Sequence, residues 1–513
     1  MSESRTENTF RNIKFGLGAQ FLSMCLGLIS RTVFIQKLGD YYLGVNGLLT
    51  NILGILSMAE LGMSTIMNYS LYKPVADHDM ETIKSQMSFF RRAYYIIFFT
   101  IIVLGILLLP FLPLIAKDAE GRGEPIQLYY IVFLFNTAIS YLVSYQFSLV
   151  NAEQKTYIYT TIHTAFSIIL RLTEIVVLLL NGSFLLYLLM TSVNIIGQKL
   201  FLTLFFRKMY PFLYQEKARK LTSEELGPIK KNIIGIVYHK FSDIAIHSTD
   251  NIIISAAVNL TAVGFVSNYS ALIAYAQTFL NIIFNNVAPS LGNLVAVCPL
   301  KEQFRVYKIY NFIDFWLFGF FGISFAILLQ PFITLWIGAG HLIDEISLLL
   351  ISVNFFLSGQ RTSFLNYKSA HGKFYEDKYV VFVAAIINLV VSIALVNVIG
   401  LPGIYIGTLA SGLYQSIRRP MIAYRRVTGD RTINYFKTLA TYFCALIPPY
   451  LILRFISLLL LSKVSWPRFL LLALLDLLFS NLFFFLFFRK KYEFSYCQDM
   501  VFSRLRIINH LRK

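Results

Sequence analysis

The sequence predicts an all-α integral membrane protein of about fourteen transmembrane helices, arranged as two parallel six-helix lobes around a central cavity plus a C-terminal helix pair. Three observations carry that expectation. The 513 residues are 57% hydrophobic and only 14% charged, with a mean hydropathy of +0.63, whereas about a quarter of the residues of a soluble domain are charged. Apolar stretches follow one another almost without pause, each with the roughly 20 residues that one bilayer crossing needs. The basic residues fall in alternate connections between those stretches.

The stretches lie at 12–38, 41–71, 88–115, 126–151, 156–181, 183–207, 232–258, 262–290, 306–336, 343–367, 378–399, 401–424, 434–461 and 465–488. They leave no room for a soluble catalytic domain, because the longest polar connection is 208–231. The polar start, MSESRTENTFRNIK, leads into an apolar run longer than a signal-peptide core and without a small-x-small cleavage site, so the first span is expected to remain as an anchor. The expected organisation is an N-terminal lobe over 1–210, a cytoplasmic linker at 211–231, a second lobe over 232–430, an added helix pair at 431–490 and a basic cytoplasmic tail at 491–513.

The net charge is +18, from 45 Lys and Arg against 27 Asp and Glu. In a soluble chain that excess would point to nucleic acid, but its placement gives another meaning. With basic residues near the ends of spans, Lys368 and Arg419 among them, counted in the adjoining connections, one side of the spans receives 34, the other five, and six lie deeper inside spans. By the positive-inside rule both termini are cytoplasmic, and the basic excess fixes topology and meets anionic lipid. Trp336 and Trp466 fall at the outer ends of their spans, where interfacial tryptophan belongs. The four cysteines (Cys25, Cys298, Cys444 and Cys497) are scattered without a CxxC pair and are expected in apolar surroundings.

Charged groups at membrane depth are costly and usually face a bundle interior or a wet cavity. Here they repeat at helical spacing. Span 5 carries Thr160, Thr164, Ser167, Arg171 and Glu174; span 7 carries Lys240, Asp243, His247 and Asp250; span 2 carries Ser57, Glu60, Ser64 and Asn68. Spans 6 and 10 add Thr191, Asn194, Gln198 and Asn354, Ser358, Arg361. Each spacing places its residues on one side of a helix, and several helices with one polar face each point to a shared hydrophilic cavity. Two readings stay open for the pairs Arg171–Glu174 and Lys240–Asp243: ion pairs that lock helices together, or cavity groups. Arg31 has no acidic neighbour on its own helix, which favours a cavity role. Asp314 and Asp476, single acids in spans 9 and 14, read as structural, and His163 as a packing residue.

Catalytic motifs are missing: the chain has no HExxH, GxSxG or Walker A sequence. Nothing in it calls for a cofactor, a resident metal or a nucleic-acid partner. Transport would therefore draw on an ion gradient, the membrane potential or the substrate's own gradient.

An internal repeat supports two lobes. When Arg31 is set against Asp250, Gly44 and Gly264 fall within one residue of each other, and six spans return the chain to the same side, as a parallel repeat requires. On Arg31 with LGDYYLGVNGLL, on ELGMSTIMNYSLYKP with Glu60, on TDNIIISAAVNLTAVGFVSNYS with Asp250 and on LPGIYIGTLASGL, the sequence resembles the polysaccharide flippases (O-antigen, capsule and teichoic-type) of the multidrug/oligosaccharidyl-lipid/polysaccharide exporter superfamily. The resemblance covers at least residues 10–430.

The resemblance implies a bacterial inner-membrane flippase that moves an undecaprenyl-diphosphate oligosaccharide from the cytoplasmic to the outer leaflet by alternating access. Its partners would be membrane lipids, the lipid-linked glycan and other polysaccharide-assembly proteins. It places Arg31 where the family has a cavity arginine, and implies a coupling site for Na+ or H+ at Asp250 with Asn388, for which Asp243 is also available. The polar helix faces and intramembrane charges add Glu60, Arg171, Glu174, Lys240 and Arg361 to the expected substrate cavity. Three alternatives remain. A lipid II flippase also suits fourteen spans. A cation-coupled multidrug exporter is disfavoured by six basic residues against six acids inside the spans. A membrane-embedded polymerase or acyltransferase is disfavoured by outer connections no longer than about ten residues, too short for the folded loops that carry catalytic groups.

Overall fold

A computed structural model describes residues 5–60, 63–116, 124–153, 155–215, 218–222, 249–371, 377–461 and 463–499. Lys240, Asp243 and His247 lie outside the described residues. The described chain is helical throughout, with α1 over Arg5–Leu56, α2 over Met63–Ala76, α3 over Met80–Leu108, α4 over Ile126–Tyr141, α5 over Ser144–Ala152, α6 over Thr156–Asn181 and α7 over Phe184–Met209. It continues with α8 over Asp250–Ala257, α9 over Leu260–Val297, α10 over Leu300–Trp336, α11 over Glu345–Gln360, α12 over Thr362–Ala370, α13 over Lys378–Ile399, α14 over Leu401–Thr428, α15 over Thr432–Leu460 and α16 over Trp466–Phe488. Among the described residues, nine helices are long and apolar enough to cross a membrane.

The helices start where short polar side chains cap them. Asp79 accepts from the Thr82 N–H at 3.0 Å at the start of α3, and Asp344 from the Ser347 N–H at 2.8 Å at the start of α11. Every expected apolar stretch is helical where described, but several are not single rods. The first two join into α1, which turns at Gly39 with φ +80°, and the second is interrupted again between Leu56 and Met63. The stretch 126–151 breaks between Tyr141 and Ser144, and 343–367 breaks at Arg361. Hydropathy registers length in the bilayer and is blind to such breaks, because buried polar neighbours satisfy the backbone groups they release.

By its contacts the chain divides into two units, Met1–Gly264 and Phe265–Lys513. In the first unit α1 packs along α6, α6 on α7, α4 on α3 and α7, and α2 on α5. The short helix α8 rests on α1. The two glycines matched by the internal repeat meet at one crossing: a Cβ on Gly44 would strike the Leu260 carbonyl, and a Cβ on Gly264 would strike the Asp40 carbonyl. Only glycine permits that backbone approach.

In the second unit α10 is the hub, touching α11, α12, α14, α15 and α16. The tightest pair is α13 with α14. There Gly403 and Gly407 bring the α14 backbone against Leu395 and Ser392, while Ser392 donates to the Ile404 carbonyl at 3.2 Å. At the opposite end of the hub, Phe332 packs against both Trp336 and Trp466. Most large apolar side chains on the outward helix faces are exposed, such as Phe99, Leu180, Val398 and Leu470, as expected of helices solvated by lipid. The same holds for Cys444, which is exposed on α15. Cys444 is therefore not enclosed by the protein's own side chains.

Replacing Gly44 with Val should destabilise the protein by about 1–3 kcal/mol or more, because α1 and the start of α9 cannot separate without unpacking their neighbours. Thermal unfolding of the purified variant against wild type measures this.

Candidate functional site

The strongest polar constellation in the first unit is built where α1, α6 and α7 meet. Glu174 of α6 is 1% exposed. Its Oε2 accepts from Arg171 Nη1 at 2.9 Å and from Ser30 Oγ at 3.2 Å, and its Oε1 from Thr191 Oγ1 at 3.5 Å. Three helices are thus tied to one carboxylate. The Arg171–Glu174 pair is an intrahelical ion pair between a buried acid and a side chain that remains 41% exposed. It neutralises the acid while leaving part of the guanidinium accessible.

Arg31 follows Ser30 on α1 and is half-buried. Asn194 of α7 donates to the Phe166 carbonyl at 3.1 Å, and Gln198 is buried beside it on the same helix. The stripe predicted on span 5 therefore divides in two. Ser167 contacts His163 at 3.4 Å toward one end, and Arg171–Glu174 anchors the other.

Glu60 sits apart from this cluster, in the one-turn segment Ser57–Glu60 between α1 and α2. It accepts from the hydroxyl of Tyr94, a fully buried residue of α3, at 3.0 Å. Asp250 opens α8. Two further tyrosines, Tyr42 and Tyr129, donate to Glu124 at 2.5 and 2.9 Å. No sequence signal marks that arrangement, since Glu124 sits in a connection and its partners come from two different helices.

In the second unit Arg361 occupies the break between α11 and α12, and its Nη1 donates to the Gly412 carbonyl at 2.8 Å. Asn388 is fully buried between α13 and α14 and donates to Thr408 at 3.1 Å. Arg31, Glu60, Arg171, Glu174 and Asp250 thus belong to the first unit, and Arg361 and Asn388 to the second.

Sequence reasoning missed a buried ion cluster. Lys368 and Arg419, assigned to connecting loops, lie 2.5 and 3.3 Å from Asp377 Oδ2, and all three are less than a tenth exposed. Two cations share one acid there. The three residues are far apart in sequence, so no local spacing reveals them.

Comparison with solved structures places this architecture. Lipid II flippase MurJ, in an inward closed conformation, superposes with a TM-score of 0.60 at 15% identity, covering 93% of this chain and 99% of its own. An inward-facing multidrug resistance MATE family transporter of the MOP superfamily superposes with a TM-score of 0.60 at 12% identity, covering 76% of this chain and 92% of its own. The chain shares the fold of these two transporters. A third example is a mutant of the Vibrio cholerae MATE transporter VcmN, with a TM-score of 0.57 at 12% identity, covering 84% of this chain and 99% of its own. No protein-family model matches the chain, and no curated protein matches its sequence. At these identities the shared property is the fold.

Glu174→Ala removes the acceptor of Ser30 and the ion-pair partner of Arg171, while Thr191 keeps the Tyr187 carbonyl at 3.1 Å, and should cost about 1–3 kcal/mol. Glu174→Gln keeps an acceptor for the two hydroxyls and should recover part of that loss. Melting temperatures of the two variants, measured side by side, check the order.

Proposed function

We propose that this protein is a flippase that moves a lipid-linked oligosaccharide, carried on undecaprenyl diphosphate or a chemically similar anionic lipid, across the bacterial inner membrane by alternating access. The observation that carries the reading is the placement of Arg31 and a partly exposed Arg171 on the two helices of the α1–α6 seam, where Glu174 is bonded by Ser30, Thr191 and Arg171. A diphosphate cannot cross hydrocarbon without replacing its hydration shell. Arginine is suited to that task, because its planar guanidinium presents paired donors to phosphate oxygens. The polyprenyl tail needs no such site, since it can stay in lipid beside a laterally open path. The sequence resemblance around Arg31, Glu60 and Asp250 and the MOP-superfamily fold support the same reading.

A second reading is a lipid II flippase. It is favoured by the reach of the MurJ match, which extends over 93% of this chain, more than either MATE match. It shares the diphosphate chemistry and differs in the glycan. Na+ or H+ coupling through Asp243, Asp250 and Asn388 remains part of the proposal, as do cytoplasmic termini and contact with other envelope-assembly proteins.

Arg31→Ala, expressed at the wild-type level, should abolish surface polymer assembly in the native host, and Arg31→Lys should retain a fraction of it. Quantifying the exported polymer in both strains tests this; normal export with Arg31→Ala contradicts the reading.

A further inference from the structure

Among the described residues four acids are almost fully buried: Glu174, Asp314, Asp377 and Asp476, each 1% exposed or less. Three of them are compensated on their carboxylates. Glu174 receives an arginine and two hydroxyls. Asp377 has a lysine and an arginine beside it. Asp476 receives Ser324 on one oxygen at 2.5 Å and Ser480 on the other at 2.9 Å. Asp314 differs from them in having neither a cation nor a bond to each oxygen. Its Oδ2 accepts from the Ser363 N–H at 3.0 Å, while its Oδ1, like Asp377 Oδ1, is buried without a hydrogen-bond partner among the described residues. No cation forms an ion pair with it among the described residues.

Its neighbourhood consists of oxygen donors. Asn311, one turn earlier on α10, accepts from Gln360 Nε2 at 2.8 Å and from Ser363 Oγ at 2.9 Å. That orientation leaves Gln360 Oε1 as a second buried oxygen without a partner. Gln360 and Ser363 flank the break between α11 and α12, which is why both can turn toward α10. The buried hydroxyls of Tyr307 and Tyr435 also lack partners, and both lie within electrostatic reach of Asp314.

A route leads to this place. A cavity of about 340 Å³ runs from Lys308, Asp430 and Glu493 inward to Tyr307, Tyr435 and Asn311. Lys308 is exposed and the last three residues are buried, so the cavity reaches from the surface to Asn311, the residue bonded to Gln360 and Ser363; Asp314 and Gln360 do not themselves line it.

The geometry points to a monovalent-cation site, occupied by Na+, between α10 and the α11–α12 break, with Asp314 Oδ1 and Gln360 Oε1 as its protein ligands. One carboxylate matches one positive charge, and a buried carboxylate left bare is far less stable than a compensated one. Carboxylate, carboxamide and phenol oxygens are hard donors suited to an alkali ion. No cluster of three His, Cys, Asp or Glu side chains occurs among the described residues to favour a transition metal. Among the described residues, nearby cations have other contacts: Arg361 with the Gly412 carbonyl, Arg419 with Asp377, and Lys308, at the cavity's outer end, over the Phe304 ring. The site shares no residue with the Asp243, Asp250 and Asn388 set, and it does not depend on what the protein transports.

The test uses the purified full-length protein without substrate. Binding of radioactive sodium and thermal unfolding are measured against sodium concentration, with ionic strength held constant by choline chloride. The wild type should bind sodium saturably and gain stability over the same concentration range. In an Asp243→Asn/Asp250→Asn background, which removes the separate coupling set, Asp314→Asn and Gln360→Leu should weaken binding by about tenfold or more relative to that background, as loss of a metal ligand does, while Asp476→Asn should leave it unchanged. If Asp314→Asn does not fold, Gln360→Leu and Ser363→Ala carry the comparison. Absence of saturable sodium binding in the wild type overturns the site, as does undiminished binding when Asp314→Asn is added to that background. Stabilisation by acid alone, equal in choline and sodium, also overturns it, because a proton on Asp314 then suffices.

Discussion

The constraint on which this structure depends is the cost of a polar group in hydrocarbon. Water is scarce at membrane depth, so a buried acid, amide or hydroxyl is costly unless a partner within the protein or a bound ion compensates it. Glu174 shows how that shapes the fold. By collecting Arg171 from its own helix, Ser30 from α1 and Thr191 from α7, one carboxylate fixes the rotation of three helices that lipid would otherwise leave free to turn. Asp476 does the same for α10 and α16 through Ser324 and Ser480. Asp377 joins the end of α12 to α14 through Lys368 and Arg419.

Apolar packing supplies the remainder without specificity of that kind. Lipid tails are as apolar as leucine, so helix association relies on close backbone approach. The glycine contacts at Gly44 with Gly264, and at Gly403 and Gly407, provide it. A chain with these two devices can keep helix breaks inside the bilayer, such as the one at Arg361, because the released backbone groups face polar side chains. Breaks of this type are where a transporter gains sites for ions and charged head groups.

Much of the architecture was legible in the sequence because the bilayer enforces one length and one pattern. Each expected stretch is helical where described, and Arg171 and Glu174, placed on one face by a spacing of three, form the ion pair that spacing allows. The glycines matched by the repeat turn out to touch each other's segments, so the match reflects a packing requirement. What was not legible depends on pairs distant in sequence. Lys368 and Arg419 counted as loop charges, yet both are buried against Asp377. Asp314 read as a lone structural acid, and its significance emerges only when α10 is set against the α11–α12 break. A local signal did exist, since Asn311 and Asp314, like Gln360 and Ser363, are three residues apart, but it gains meaning only from the contact between the two helices.

The central functional claim is that the protein carries an anionic lipid-linked glycan. Reconstitution into proteoliposomes with a fluorescent undecaprenyl-diphosphate oligosaccharide in one leaflet, followed by quenching from outside, addresses it directly. The account predicts that translocation exceeds that of empty vesicles and that the same glycan on an uncharged polyprenol is not moved. Equal movement of both lipids, or exchange of an organic cation without movement of either, would contradict it.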